Sequence, residues 1–222
     1  MCIFLDTSDL SIIEYYLGLG VIRGVTTNPS IFLKMGVTNM VDHIVKLCKL
    51  LDPFPVSVEV TSNIESEMVE QALRLSDLGE NIVVKIPIQG PNDETFNLRV
   101  VNLLEDKYGR FTNVTACMSS SQIIMAGLAG ATYASLFGGR ISNMGHDVIA
   151  EIKKSVQLLD RLEYRTQLIV GSTRESINIV DWLLAGADII TVTPDLMKNL
   201  ITHPYSRDTV RQFLNDAQKL NG

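Results

Sequence analysis

The sequence predicts a (β/α)8 barrel, and three observations point that way. Eight short β-branched or apolar runs recur along 222 residues, stretches with apolar residues at three- and four-residue spacing separate them, and glycines recur at the joints. Eight such units average about 28 residues, close to the minimum for a strand, a helix and two short loops. The runs are continuously apolar rather than alternating, which suits parallel strands covered by helices on the outside. A closed barrel accounts for the count; an open doubly wound sheet is the competing arrangement. Nothing in the composition marks a linker, so residues 1–222 read as one domain with a C-terminal helical extension.

Taken in order, the first strand is Ile3 to Leu5, followed by Asp6-Thr7-Ser8-Asp9, a polar group suited to capping a helix. The second strand, Gly24 to Thr26, leads into Asn28-Pro29-Ser30, a turn and helix start. A helix over Val41 to Leu51 precedes the third strand, Val56 to Val60, and a helix over Glu65 to Leu78 precedes the fourth, Ile82 to Ile86. A helix over Glu94 to Glu105 leads to Thr112 to Thr115, one over Ser121 to Leu128 to Tyr133 to Phe137, and one over Ile149 to Leu162 to Leu168 to Val170. Ser176 to Leu184 forms the last helix before the eighth strand, Ile189 to Val192, and Asp208 to Leu220 forms a terminal helix. Leu19-Gly20-Val21, Leu78-Gly79-Glu80, Ala129-Gly130-Ala131 and Ala185-Gly186-Ala187 each place a glycine where a left-handed residue would end a helix.

Composition removes several functions. With a net charge of -6 the chain has no basic stripe to displace counterions from a nucleic acid. No run reaches the roughly 18 apolar residues of a membrane span, and Met1-Cys2-Ile3-Phe4-Leu5-Asp6 lacks the charged start of a secretion signal, so a cytoplasmic protein is expected. Cys2, Cys48 and Cys117 are odd in number and widely spaced, as reduced thiols are, and His43, His146 and His203 are too scattered for a metal pair at helical spacing. Neither of the common glycine-rich nucleotide loops is present.

Within this pattern Lys85 is anomalous, because it alone among the lysines interrupts an apolar run, Asn81 to Ile88. An ammonium there must be paired, reach water along its stem, or be held neutral, and a neutral lysine is a nucleophile for carbonyls. In a barrel, polar residues at the carboxyl ends of strands collect at one mouth. Those ends carry Asp6, Thr26-Thr27-Asn28, Glu59, Lys85, Asn113, Thr115, Ser135, and Ser172 with Arg174. Asp6, Glu59 and Lys85 facing one interior form either a structural ion-pair cluster or a working site.

These residues lie in motifs that resemble the transaldolase family, in particular the short microbial subfamily that includes the fructose-6-phosphate aldolases. The motifs are Phe4-Leu5-Asp6-Thr7, Gly24-Val25-Thr26-Thr27-Asn28-Pro29-Ser30, Ser57-Val58-Glu59-Val60, Val84-Lys85-Ile86-Pro87, Asn113-Val114-Thr115, Gly139-Arg140-Ile141, Ser172-x-Arg174 and Leu184-Ala185-Gly186-Ala187. The resemblance implies a (β/α)8 barrel, a Schiff-base lysine and no metal or organic cofactor. It makes Lys85 the amine that attacks a ketose carbonyl and Asp6 the carboxylate that takes the C4-hydroxyl proton. Glu59 and Thr115 become the pair that holds a water, while Thr26, Asn28, Asn113 and Ser135 bind or orient the three-carbon unit. Arg140, Ser172 and Arg174 become the anion site. The partners implied are a ketose donor with an anionic tail and an aldehyde acceptor, and the subfamily's ring-like decamers imply a homo-oligomer. Glu59 and the Asn113-x-Thr115 pattern favour transfer over release of free dihydroxyacetone, because the free-ketone aldolases resemble a glutamine at position 59. Leu136, Gly138, Gly171, Thr173 and the polar stretch Ala116 to Ser121 depart from the common pattern, several of them beside the anion site. They open the alternative of a sulfonated rather than phosphorylated ketose.

Overall fold

Eight parallel strands close on themselves in sequence order: β1 Cys2–Asp6, β2 Val25–Thr26, β3 Val56–Glu59, β4 Ile82–Pro87, β5 Thr112–Cys117, β6 Tyr133–Leu136, β7 Gln167–Val170 and β8 Ile189–Val192. In this computed structural model, which describes residues 2–220, β8 closes against β1 with Cys2 opposite Ile189 and Leu5 opposite Val192. The (β/α)8 barrel expected from the sequence is therefore closed, and all eight strands lie where the apolar runs place them.

The outer layer is α1 Leu10–Gly18, α2 Pro29–Lys34, α3 Met40–Leu51, α4 Glu65–Ser76, α5 Asn97–Asn102, α6 Ser120–Leu128, α7 Gly138–Asn143, α8 Val148–Arg161, α9 Ser176–Leu184, α10 Pro194–Ile201 and α11 Pro204–Leu220. Several of their starts follow side-chain chemistry. Asp9 accepts from the Ser11 and Ile12 amides, Asn28 from Ile31, and Asp147 from Ala150, each satisfying amides that a first helical turn leaves unpaired. Asp6 takes no part in capping α1, so its carboxylate is left for the barrel mouth.

Apolar side chains divide into two bodies. The larger fills the layer between strands and helices, with Leu5, Val25, Val58, Val84, Ile86, Val114, Leu136 and Val192 facing the helices. The smaller, Phe4, Ile169 and Ile189 with Cys2 and Tyr133 against them, plugs the lower barrel interior. Gly24 makes room for this plug, since a Cβ there would lie 2.6 Å from the Phe4 ring. Above the plug the inward positions become polar.

Some expectations need correction. Gly20, Gly130 and Gly186 have positive φ as expected, but Gly79 does not; α4 ends on Asp77 in right-handed geometry. Gly79 is instead a packing position, where a Cβ would come within 2.8 Å of Cys48 Cβ. The helix read over Glu94 to Glu105 begins only at Asn97, and a π-helical turn, Leu103–Lys107, ends it. That turn presents Glu105, whose Oε1 accepts from Thr112 N (2.7 Å), Thr112 Oγ1 (2.7 Å), Thr132 N (2.8 Å) and Thr132 Oγ1 (2.9 Å), clamping the entries of β5 and β6. The terminal helix begins at Pro204 rather than Asp208, and no residue of it is buried.

Candidate active site

Each inward polar side chain is set by strand parity. Glu59 and Lys85 occupy paired positions on β3 and β4, Lys85 pairs with Asn113 on β5, and Asp6 pairs with Thr26 across β1 and β2. A bulge interrupts β5, with Val114 opposite Ala134 and Cys117 opposite Leu136, so Thr115 and Ala116 share one partner position. Ala116 adopts φ 60°, a left-handed conformation that costs a non-glycine residue about 1–2 kcal/mol.

Lys85 is 5% exposed. Its Nζ donates to Thr27 O at 2.8 Å and lies 3.3 Å from Glu59 Oε2, whose side chain is 20% exposed. The amine therefore has two fixed partners and a third hydrogen free. Asp6 Oδ1 accepts from Thr26 Oγ1 at 2.7 Å. Burial pushes the Asp6 carboxyl above the ordinary carboxylate range; the Thr26 hydrogen bond and then the Lys85 charge pull it back only in part.

These groups open onto a cavity of about 210 Å³ at the carboxyl ends of the strands, lined by Asp6, Thr26, Asn28, Lys85, Thr115, Ser135 and Thr191, and by Phe137, Arg140, Gly171, Ser172, Thr173, Arg174 and Thr193. The Thr115 hydroxyl is buried and has no protein partner, so it can bind a water or substrate oxygen. Asn28 uses Oδ1 to cap α2, at 3.0 Å from Ile31 N, which leaves its NH2 for the cavity. Arg140 lies over the Phe137 ring at 5.3 Å, and neither its guanidinium nor that of Arg174 makes an ion pair within the described chain. Two unneutralised guanidiniums beside Ser172 form a site for a tetrahedral anion.

Two residues read from the sequence lie off the cavity wall. Asn113 is fully buried, donating to Ser57 Oγ at 3.2 Å and accepting from Ser135 Oγ at 2.7 Å. Glu59 is reached through Lys85. Thr26 lines the cavity, but its hydroxyl proton is already given to Asp6. Ser57 entered the sequence pattern only as the first residue of the Glu59 motif, and Thr191 and Thr193 not at all; as β-strand and turn residues these two carry no signal of their own until the barrel closes.

Gly139 shapes the anion site by absence. A Cβ there would sit 1.8 Å from Ser172 O, so the start of α7 can lie against the loop after β7 only as glycine. Ser172 itself has φ 60°. Gly171 has a similar local cause, because a methyl there would lie 2.9 Å from Thr191 Cγ2. The Thr173 hydroxyl donates to Thr191 O at 3.2 Å, so it supplies no additional donor to an anion.

Residues 3–222 match the family model described as transaldolase/fructose-6-phosphate aldolase. The chain is 37% identical over 216 residues to a probable transaldolase of Methanococcus maripaludis, covering 97% of each, and 35% identical over 219 residues to one of Rhizobium meliloti, covering 99% of this chain and 97% of that one. Among solved structures, a thiamine phosphate pyrophosphorylase from Pyrococcus furiosus superimposes with a TM-score of 0.60 at 12% identity, over 86% of this chain and 85% of that one; the likeness is one of fold.

Proposed function

Since the chain belongs to the transaldolase/fructose-6-phosphate aldolase family, we propose that it is a lysine Schiff-base transaldolase, moving a dihydroxyacetone unit from a ketose with an anionic tail to an aldehyde. The observation that carries this reading is the buried Lys85 amine at the floor of a cavity that also holds Asp6 and two unpaired guanidiniums. Lys85, having passed its extra proton to Glu59, attacks the donor's C2 carbonyl through its freed lone pair, and loss of water from the carbinolamine gives an iminium. Glu59, 3.3 Å from Nζ, and a water held on the unpartnered Thr115 hydroxyl carry the protons of that dehydration. Asp6 takes the C4-hydroxyl proton, the C3–C4 bond breaks, and its electron pair enters the iminium as an enamine while the aldehyde leaves. The enamine then adds to a second aldehyde, Asp6 returns its proton to the new hydroxyl, and water releases the product ketose.

Arg140, Arg174 and Ser172 take the anionic tail, and phosphate, as in fructose 6-phosphate or sedoheptulose 7-phosphate, is the ligand proposed. The Thr173 hydroxyl donates to Thr191 O, which supports phosphate over a sulfonate that would need a further neutral donor. Purified protein should turn over fructose 6-phosphate rapidly only when an aldehyde acceptor is added, and should prefer it to the 6-sulfonated ketose. Rapid release of free dihydroxyacetone without acceptor would make the enzyme an aldolase, and a clear preference for the sulfonate would displace phosphate.

A further inference from the structure

We propose that Thr191 is a positioning residue for the reaction proposed above: acting through Thr26, it holds Asp6 Oδ1 and leaves Oδ2 as the oxygen free to take the substrate's proton. The inference rests on that reading for its chemistry and on geometry for its existence. Thr26 Oγ1 lies 2.7 Å from Asp6 Oδ1 and 2.6 Å from Thr191 Oγ1. A hydroxyl has one proton to donate. When the Thr26 proton is on the carboxylate, the bond to Thr191 must be donated by Thr191. The two hydroxyls thus point in series at one carboxylate oxygen, and each polarises the next.

Both threonines are buried, and each also borders the cavity that holds Asp6. They stand on opposite sides of β1, on β2 and β8, and meet only because the barrel closes. Few other groups bear on the Asp6 carboxylate. Lys85 faces it from β4, with Glu59 of β3 on the far side as the amine's partner, and Arg140 and Arg174 share the upper cavity. From β2 and β8 come only the two hydroxyls, and the inward residue below Asp6 on β1 is the apolar Phe4. Burial works against ionisation of Asp6, while the Thr26 hydrogen bond and the Lys85 charge both favour the form that accepts a proton.

Thr191→Val keeps the branched shape beside Gly171 and removes the hydroxyl; Thr191→Ser keeps the hydroxyl. Two readouts apply to the full chain: a carboxyl-13C titration of Asp6 without substrate, its resonance identified by loss in Asp6→Asn, and the pH profile of kcat/KM on fructose 6-phosphate with an aldehyde acceptor. Thr191→Val should move the Asp6 titration and the acid limb to higher pH together. At the pH where the wild type is half-active, kcat/KM should fall by about two- to fourfold, while KM and the high-pH plateau stay nearly unchanged. Thr191→Ser should restore both. An unmoved Asp6 titration in Thr191→Val, or a serine variant that behaves like the valine, overturns the relay. Failure of the transaldolase reading is separately visible, as a wild type with neither turnover nor a borohydride adduct, while the titration still decides whether the relay exists.

Discussion

Asp6 is held between opposing influences, and both have measurable consequences. Burial raises its proton affinity in the folded protein above that of an exposed aspartate, near pH 3.9 in an unfolded chain. The folded state therefore binds the proton more tightly than the unfolded state does. The stability this confers is fully present below the unfolded value and is lost as pH rises through the folded one, so at neutral pH the ionised carboxylate is a burden on the fold. Asp6→Asn, permanently neutral, should abolish turnover yet raise Tm by about 2 to 4 °C at neutral pH, with the gain vanishing toward pH 3. Calorimetry of the two proteins from pH 3 to 8 measures this, and an asparagine variant less stable than wild type at neutral pH would contradict the assignment. Much at this scale was legible in the sequence, because Lys85, Asp6 and Glu59 are ionisable groups in apolar strands. Thr191 was not. A threonine in a strand is ordinary, and a separation of 165 positions between Thr26 and Thr191 hides their hydrogen bond.

Among the elements, strands were read more reliably than helix ends. Eight continuous apolar runs specify eight strands, whereas α5 starts at Asn97 and not at Glu94, because Glu94 and Thr95 share the polar composition of a helix's outer face. The six-residue α7 carries two glycines in its first turn, so neither spacing nor propensity announces it. Those glycines are there for contact: Gly138 lies against Trp182 and Val170, and Gly139 against Ser172 O. Gly139→Ala forces the α7 start and the Ser172 loop apart, at a cost of about 1 to 3 kcal/mol in stability. Because that loop carries Ser172 and Arg174, KM for a phosphorylated donor should rise by roughly tenfold, the scale of one weakened charge-assisted contact. Steady-state kinetics and a thermal melt check the two effects, and an unchanged KM would detach α7 from the anion site.

For the whole molecule, the outstanding feature is α11. It has 17 residues, none buried, and Val210, Phe213 and Leu214 are 53%, 65% and 60% exposed. An amphipathic helix left this open has its apolar side available, and we propose that a second copy of the chain covers it. Light scattering should find an oligomer for the full chain and a smaller species after truncation at Ile201; a monomeric full chain would refute this. No helix among the described residues is long and apolar enough to cross a membrane. The barrel gathers groups from β1, β3, β4 and β5 at one mouth, and the covalent link to a ketose proposed above falls to Lys85. Borohydride reduction in the presence of fructose 6-phosphate, followed by peptide mass mapping, tests that link most directly. A reduced three-carbon or whole-donor adduct is expected on the Lys85 peptide and absent in Lys85→Met; an adduct confined to another lysine, or none in an active enzyme, would overturn the assignment of Lys85.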